Sequence, residues 1–357
     1  MKKPIILCVV GTRPEAIKMA PVILELRKSA WSKTIVVSTA QHRDMVVPIL
    51  SYFGINPDHE LDVMRPGQDL SQLLSRILDQ FDEILASIQP NLVIVQGDTT
   101  TVLGASIAAF HRKVPVVHVE AGLRTKNIYS PFPEEMNRRL VSRLATYHFA
   151  PTEQAQTSLL EEKVDRNHVH VVGNTAIDAL LIASKTPRQE VVDDMILVTC
   201  HRRENHGGPI SNIMSAIDTI ARNNPSYEIV FPVHPNPNVS NVVRAVLGNV
   251  RNITLTDPLS YPEFVSAMRR CRFILSDSGG VQEEAPALAK PVLVLREETE
   301  RPEAVDLGLN ILVGANTEAI VLHAQKLIDD EAVYQAMARG ISPYGDGRSS
   351  AKISEIL

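Results

Sequence analysis

The chain has 357 residues, 44% hydrophobic and 22% charged, which is enough apolar material for two cores and unlike a disordered chain. Thirty-six basic residues against 41 acidic ones leave a net charge of −5 with no basic stripe, which argues against a nucleic-acid binder. The cysteines Cys8, Cys200 and Cys271 lack any C-x-x-C spacing, which points to reduced thiols in a cytoplasm, and no apolar run is long enough to span a membrane.

The opening MKKPIILCVV has the lysines and apolar run of a secretion signal. The run is short, however, and GTRPE follows in place of a small-residue cleavage site, so it is read as the first strand. Further strands are predicted at 34–38, 92–96, 116–119 and 147–150, after the first at 5–10. Between them helical periodicity runs over 16–29, 45–53, 70–88, 101–111 and 133–144. The second half continues with strands at 168–172, 195–199, 228–231, 253–256, 273–275 and 291–295, and helices that include 209–222, 239–247, 261–270 and 317–329. This alternation predicts an α/β fold of two Rossmann-like doubly wound domains facing a cleft. The boundary is expected near Gly173-Asn174, with a linker at 183–193. The first domain is 1–173, completed by the tail helix in 343–357, and the second is 174–342.

The chemistry-bearing residues fall at strand ends. Arg13 and Lys18 follow the first strand at a helix start, where the dipole disfavours cations unless an anion is bound. Asp98 and Thr99 in GDTTT suit helix caps as well as chemistry. Glu120 directly follows an apolar strand, and Glu134 and Glu135 open a helix, where they also complement its dipole. In the second half His201, in CHRREN, can donate to a leaving oxygen, and His234 is either functional or a bonded loop residue. The turn at Ser278, Gly279 and Gly280 presents backbone N–H groups at a helix start, an anion site, with Glu283 and Glu284 one turn on as acceptors for a ribose hydroxyl. No HExxH or related zinc pattern occurs, so a metal is not expected.

Taken in order, GTRPEAIKMAP, AQHRDM, GDTTT, HVEAGLRT, YSPFPEEMNRR, GNTAIDAL, HRREN, PVHPNPNV, SDSGGVQEEAP and TERPEAV resemble the non-hydrolysing UDP-N-acetylglucosamine 2-epimerases over nearly the whole chain. The resemblance implies a glycosyltransferase-B type fold, a cytoplasmic homodimer, no cofactor, and interconversion of UDP-GlcNAc with UDP-ManNAc. By residue it implies catalytic roles for Asp98, Glu120, Glu134 and His201, and nucleotide-sugar contacts by Arg13 and Lys18. It implies a UDP site at Phe264, Ser278, Gly279, Gly280, Glu284 and Arg301, and an allosteric set of Gln41, His42 and His234. Cys200 stands where the family often has glycine, and Asp44 where activated members can have glutamine, which puts allosteric activation in doubt.

Inverting C2 of GlcNAc removes a proton from a carbon with no adjacent carbonyl, so expulsion of UDP from C1 must supply the driving force. The family's elimination to 2-acetamidoglucal and re-addition needs bases on two faces of the sugar and cations at the departing diphosphate. A retaining glycosyltransferase of the same fold and the hydrolysing epimerase are the competing readings.

Overall fold

The structure is a computed structural model that describes residues 3–39, 43–185 and 194–357. Gln41, His42, the side chain of Asp44 and most of the linker expected at 183–193 lie outside the described residues. The chain divides into two units, Met1–Ala179 with Tyr344–Leu357, and Leu180–Pro343.

In the first unit, β1 (Ile5–Val10), β2 (Lys33–Ser38), β3 (His59–Glu60), β4 (Leu92–Gln96), β5 (Val116–Val119), β6 (Tyr147–Ala150) and β7 (Val169–Val171) form a parallel sheet in the order β3-β2-β1-β4-β5-β6-β7. Near-continuous apolar strands such as β1 and β4 are buried because flanking helices cover the sheet, and parallel pairing requires such crossovers. Helix Leu70–Ile88 illustrates the pattern: Leu73, Ile77, Phe81 and Leu85, spaced four apart, are all buried, and Asp69 caps its start by accepting from the Gln72 N–H at 2.8 Å. The run predicted at 168–172 pairs with β6 and forms the edge of this first sheet.

The second unit holds β8 (Met195–Thr199), β9 (Glu228–Pro232), β10 (Ile253–Thr256), β11 (Phe273–Ser276), β12 (Val292–Val294) and β13 (Asn310–Leu312) in the parallel order β10-β9-β8-β11-β12-β13. Its core is built from β8, β9, β11 and β12 against the apolar stripe of helix Gly208–Asn223, including Ile210, Ile213, Ile217 and Ile220. Both sheets are therefore doubly wound, and each reverses strand order once, between β1 and β4 and between β8 and β11. Ligands of such sheets bind beyond the carboxyl ends of the strands at that reversal.

The tail belongs to the first unit. The Asn174 N–H donates to the Tyr344 carbonyl at 2.6 Å. The Asp178 carboxylate accepts from the Ser349 and Ser350 N–H groups at 3.2 and 2.8 Å, placing an anion at the start of helix Ser349–Ile356. Among the described residues no helix is long and apolar enough to cross a membrane.

Candidate active site

In the first unit Arg13 and Lys18 follow β1, Asp98 follows β4 and Glu120 follows β5, the strands on and beside the reversal, while Glu134 opens the helix that comes after the β5 loop. Helix Arg13–Lys28 begins directly after β1, with Pro14 in its first turn. Glu15, which the sequence offered only as part of a motif, is the keystone of this turn. One of its carboxylate oxygens accepts the N–H groups of Gly11 and Thr12 at 2.6 and 2.9 Å, and the other accepts the Thr99 hydroxyl. Burial pushes Glu15 up to about 7 against these donors. Gly11 must be glycine, because a Cβ there would lie 2.5 Å from the hydroxyls of both Thr39 and Thr101.

Lys18 and Glu120 form a nearly buried ion pair. The cation expected to be held by a bound anion thus has an intramolecular partner, and Glu120 is paired at its strand end. Glu120 also adopts φ 63°, a left-handed backbone that an L side chain rarely takes and that is typical of functional sites. Thr99 caps helix Thr100–His111, accepting from the Val102 N–H at 3.3 Å, which leaves the Asp98 carboxylate for other work. It is gripped by the buried Arg138 through Nε at 3.2 Å and through Nη2, and its carbonyl accepts from Asn137 at 2.9 Å.

The two acids that open helix Glu134–Leu144 differ in kind. Glu135 is fully buried and accepts from Arg138, Arg139 and the Thr125 N–H, a scaffold role, whereas Glu134 is half-buried at the first helical position. Sequence reasoning passed over Arg138, although it sits one turn after Glu134 in EEMNRR. It passed over His118 too. That ring is buried, with Nε2 2.7 Å from the Gly97 carbonyl, and burial drives its pKa down to about 3, so the neutral ring ties the exit of β5 to the residue before Asp98.

In the second unit β11 runs one residue past the predicted 273–275, to Ser276. Ser278 is the N-cap of helix Gly279–Ala287, so the Ser278–Gly280 turn presents the first N–H groups of that helix. Gly279 is required for a reason the sequence did not disclose: a Cβ there would lie 2.8 Å from the Arg301 guanidinium carbon. The two acids expected as acceptors are engaged differently. Glu283 accepts from Arg301 Nε in the interior, and Glu284 accepts the Tyr261 hydroxyl at 3.1 Å. Phe264 is half-buried on the same helix as Tyr261, Tyr261–Arg270.

Arg301 is clasped by Glu283 and Glu300. Burial alone would raise the Glu300 carboxyl, but Arg301, Arg296 and Arg202 hold it far below the usual carboxylate range. His201 follows β8, its ring stacked on that of His234 with centroids 5.7 Å apart and planes at 17°. The buried Asp277, another residue the sequence did not single out, accepts the His201 and Arg202 N–H groups at 2.9 and 2.8 Å.

Two doubly wound parallel sheets with charged and glycine residues beside each reversal define an α/β protein of the Rossmann-like class, whose members bind ligands beyond the strand ends. The family profile described as UDP-N-acetylglucosamine 2-epimerase matches residues 24–357, and the chain belongs to that family. A UDP-N-acetylglucosamine 2-epimerase of Yersinia pestis is 49% identical over 99% of this chain and 98% of its own length. The crystal structure of a UDP-GlcNAc 2-epimerase from Neisseria meningitidis bound to UDP-GlcNAc matches with a TM-score of 0.95 at 46% identity, covering 99% of both chains. That of the Methanocaldococcus jannaschii enzyme in complex with UDP-GlcNAc and UDP matches at 0.87 and 34% identity, again over 99% of each chain.

Proposed function

We propose that this protein is a non-hydrolysing UDP-GlcNAc 2-epimerase that interconverts UDP-GlcNAc and UDP-ManNAc by elimination and re-addition. The observation that carries the reading is the acid set itself. Asp98, Glu120 and Glu134 are all present in a chain that aligns over its full length with relatives named for this reaction and with structures holding UDP-GlcNAc.

In the forward elimination a carboxylate takes the C2 proton, the C2–H electron pair becomes the C1=C2 bond of 2-acetamidoglucal, and the C1–O bond breaks with its pair leaving on UDP. Re-addition reverses these changes with the proton delivered to the opposite face of C2, so no oxidant, reductant or water is consumed. Asp98, Glu120 and Glu134 are assigned to this proton traffic, and Lys18 and Arg138, which pair with two of them, keep charge balanced as protons move. His201 and the Ser278–Gly280 N–H groups stabilise the departing diphosphate, Glu284 takes the ribose, Phe264 lines the base, and Arg13 and Arg301 complete the nucleotide-sugar contacts. The protein acts as a cytoplasmic homodimer and supplies ManNAc-type sugars for surface polysaccharides.

Incubation with UDP-GlcNAc followed by anion-exchange separation tests the reading. A mixture of UDP-GlcNAc and UDP-ManNAc without free sugar is expected. Free ManNAc with UDP would show the hydrolysing reaction instead.

A further inference from the structure

His201 is half-exposed, yet its position is fixed from two sides by groups that are not. Its Nδ1 lies 3.3 Å from the Asp277 Oδ1, and Asp277 is fully buried. The same carboxylate accepts the His201 N–H at 2.9 Å, the Arg202 N–H at 2.8 Å and the Asn205 side-chain amide at 2.9 Å. Asn205 also donates to the Leu295 carbonyl at 3.2 Å, and the Asp277 N–H donates to the Thr199 carbonyl at 3.3 Å, which locks the 200–205 loop onto β8, β11 and the exit of β12. On the ring face lies His234, whose Nδ1 accepts from the Asn236 N–H at 3.2 Å. That bond leaves the His234 proton on Nε2, and burial together with His201 lowers its pKa, so the stacked ring is a neutral support and not a second cation.

Burying a carboxylate is costly, and two N–H groups would already anchor the loop. Asp277 Oδ1, which accepts the His201 N–H at 3.2 Å, also stands 3.3 Å from the ring nitrogen, where an acceptor is what a histidine needs when one tautomer must be enforced. We propose that Asp277 is a positioning residue for His201, holding one proton on Nδ1 so that Nε2 is the nitrogen that gives its proton to the diphosphate oxygen freed when the C1–O bond breaks and takes it back on re-addition. When Nε2 takes up or gives up that proton, the Asp277 carboxylate stabilises the imidazolium and fixes the ring plane, with His234 preventing rotation. The inference deepens the epimerase reading and rests on it for the identity of the substrate.

The test is a double-mutant cycle on the full-length protein with UDP-GlcNAc as substrate. Asp277→Asn keeps oxygen for the loop N–H groups but turns an amide donor towards Nδ1, and is expected to lower kcat by about 10- to 100-fold with KM and UDP affinity little changed. Asp277→Asn combined with His201→Asn is expected to be no slower than His201→Asn alone, since one residue acts through the other. Additive losses would overturn the proposal and make Asp277 a structural residue. Nitrogen-15 NMR of histidine-labelled wild-type protein decides independently of turnover and of whether the variant folds. A neutral His201 protonated on Nδ1 supports the proposal, and one protonated on Nε2 overturns it. A wild-type protein without epimerase activity would count against the proposed function and leave the NMR result to decide the role of Asp277.

Discussion

Exchanging Glu120 for glutamine keeps the shape of the side chain and removes both its charge and its basicity. Because Glu120 is paired with a nearly buried Lys18, the variant also strips a counter-charge from that lysine and is expected to lose some stability. Glu120→Gln and Asp98→Asn should each abolish turnover while UDP affinity, measured by calorimetry, stays within about tenfold, because neither carboxylate is assigned to the nucleotide. Loss of UDP binding in both would make these residues part of the fold alone. Arg301→Ala makes the opposite demand. The arginine sits between Glu283 and Glu300, and Glu300 keeps Arg296 and Arg202 as partners, so its removal takes one cation from a buried network and should lower the unfolding free energy in denaturant titration by about 1–3 kcal/mol, together with weaker UDP binding. Unchanged UDP affinity in the folded fraction would remove Arg301 from the site. Neither ion pair could be read from sequence, because partners 102 and 18 residues apart are brought together only by the sheet.

At the scale of elements, β5 and β6 place His118 and His148 opposite each other in register, both buried. Burial drives their pKa values from 6.5 down to about 3 and about 4, so each ring is neutral in the fold and protonated more readily once unfolded. The stability that depends on them is present above pH 6.5 and is lost as pH falls towards those values. Glu15, raised from 4.5 to about 7, has the opposite sign: its contribution is present below 4.5 and is lost as pH rises towards 7. The comparison is therefore made as a difference. Relative to His118→Gln, the wild type should lose ~1.4 kcal/mol of unfolding free energy per pH unit below about pH 6, and parallel curves would contradict this. The strand–helix alternation was legible because parallel strands buried on both faces read as apolar runs; β3 and β13, two and three residues long, offered no such run. The turn at Ser278–Gly280 was legible from its glycines, but the reason for Gly279, the guanidinium above it, was not.

Across the whole molecule, the chain leaves its first unit and returns to it, so the tail from Tyr344 onward stabilises the unit that contains β1 to β7. Asp178→Ala should lower the stability of that unit by about 1 kcal/mol through loss of the anion at the tail helix. Limited proteolysis should then release the tail first, and an unchanged cleavage pattern would argue that the helix is held by packing alone. The acids at the strand ends were visible in the sequence as residue types following apolar runs, and their family resemblance supplied the roles. What the sequence could not supply was the supporting set of Glu15, Arg138, Asp277 and Glu300, whose value lies in contacts made after folding.

The most direct test of the account is proton NMR of the protein with UDP-GlcNAc in D2O. Elimination and re-addition predicts deuterium entering C2 of the sugar as the UDP-ManNAc signal grows, with no free sugar formed. Epimerisation without deuterium at C2, or UDP-GlcNAc left unchanged, would contradict it.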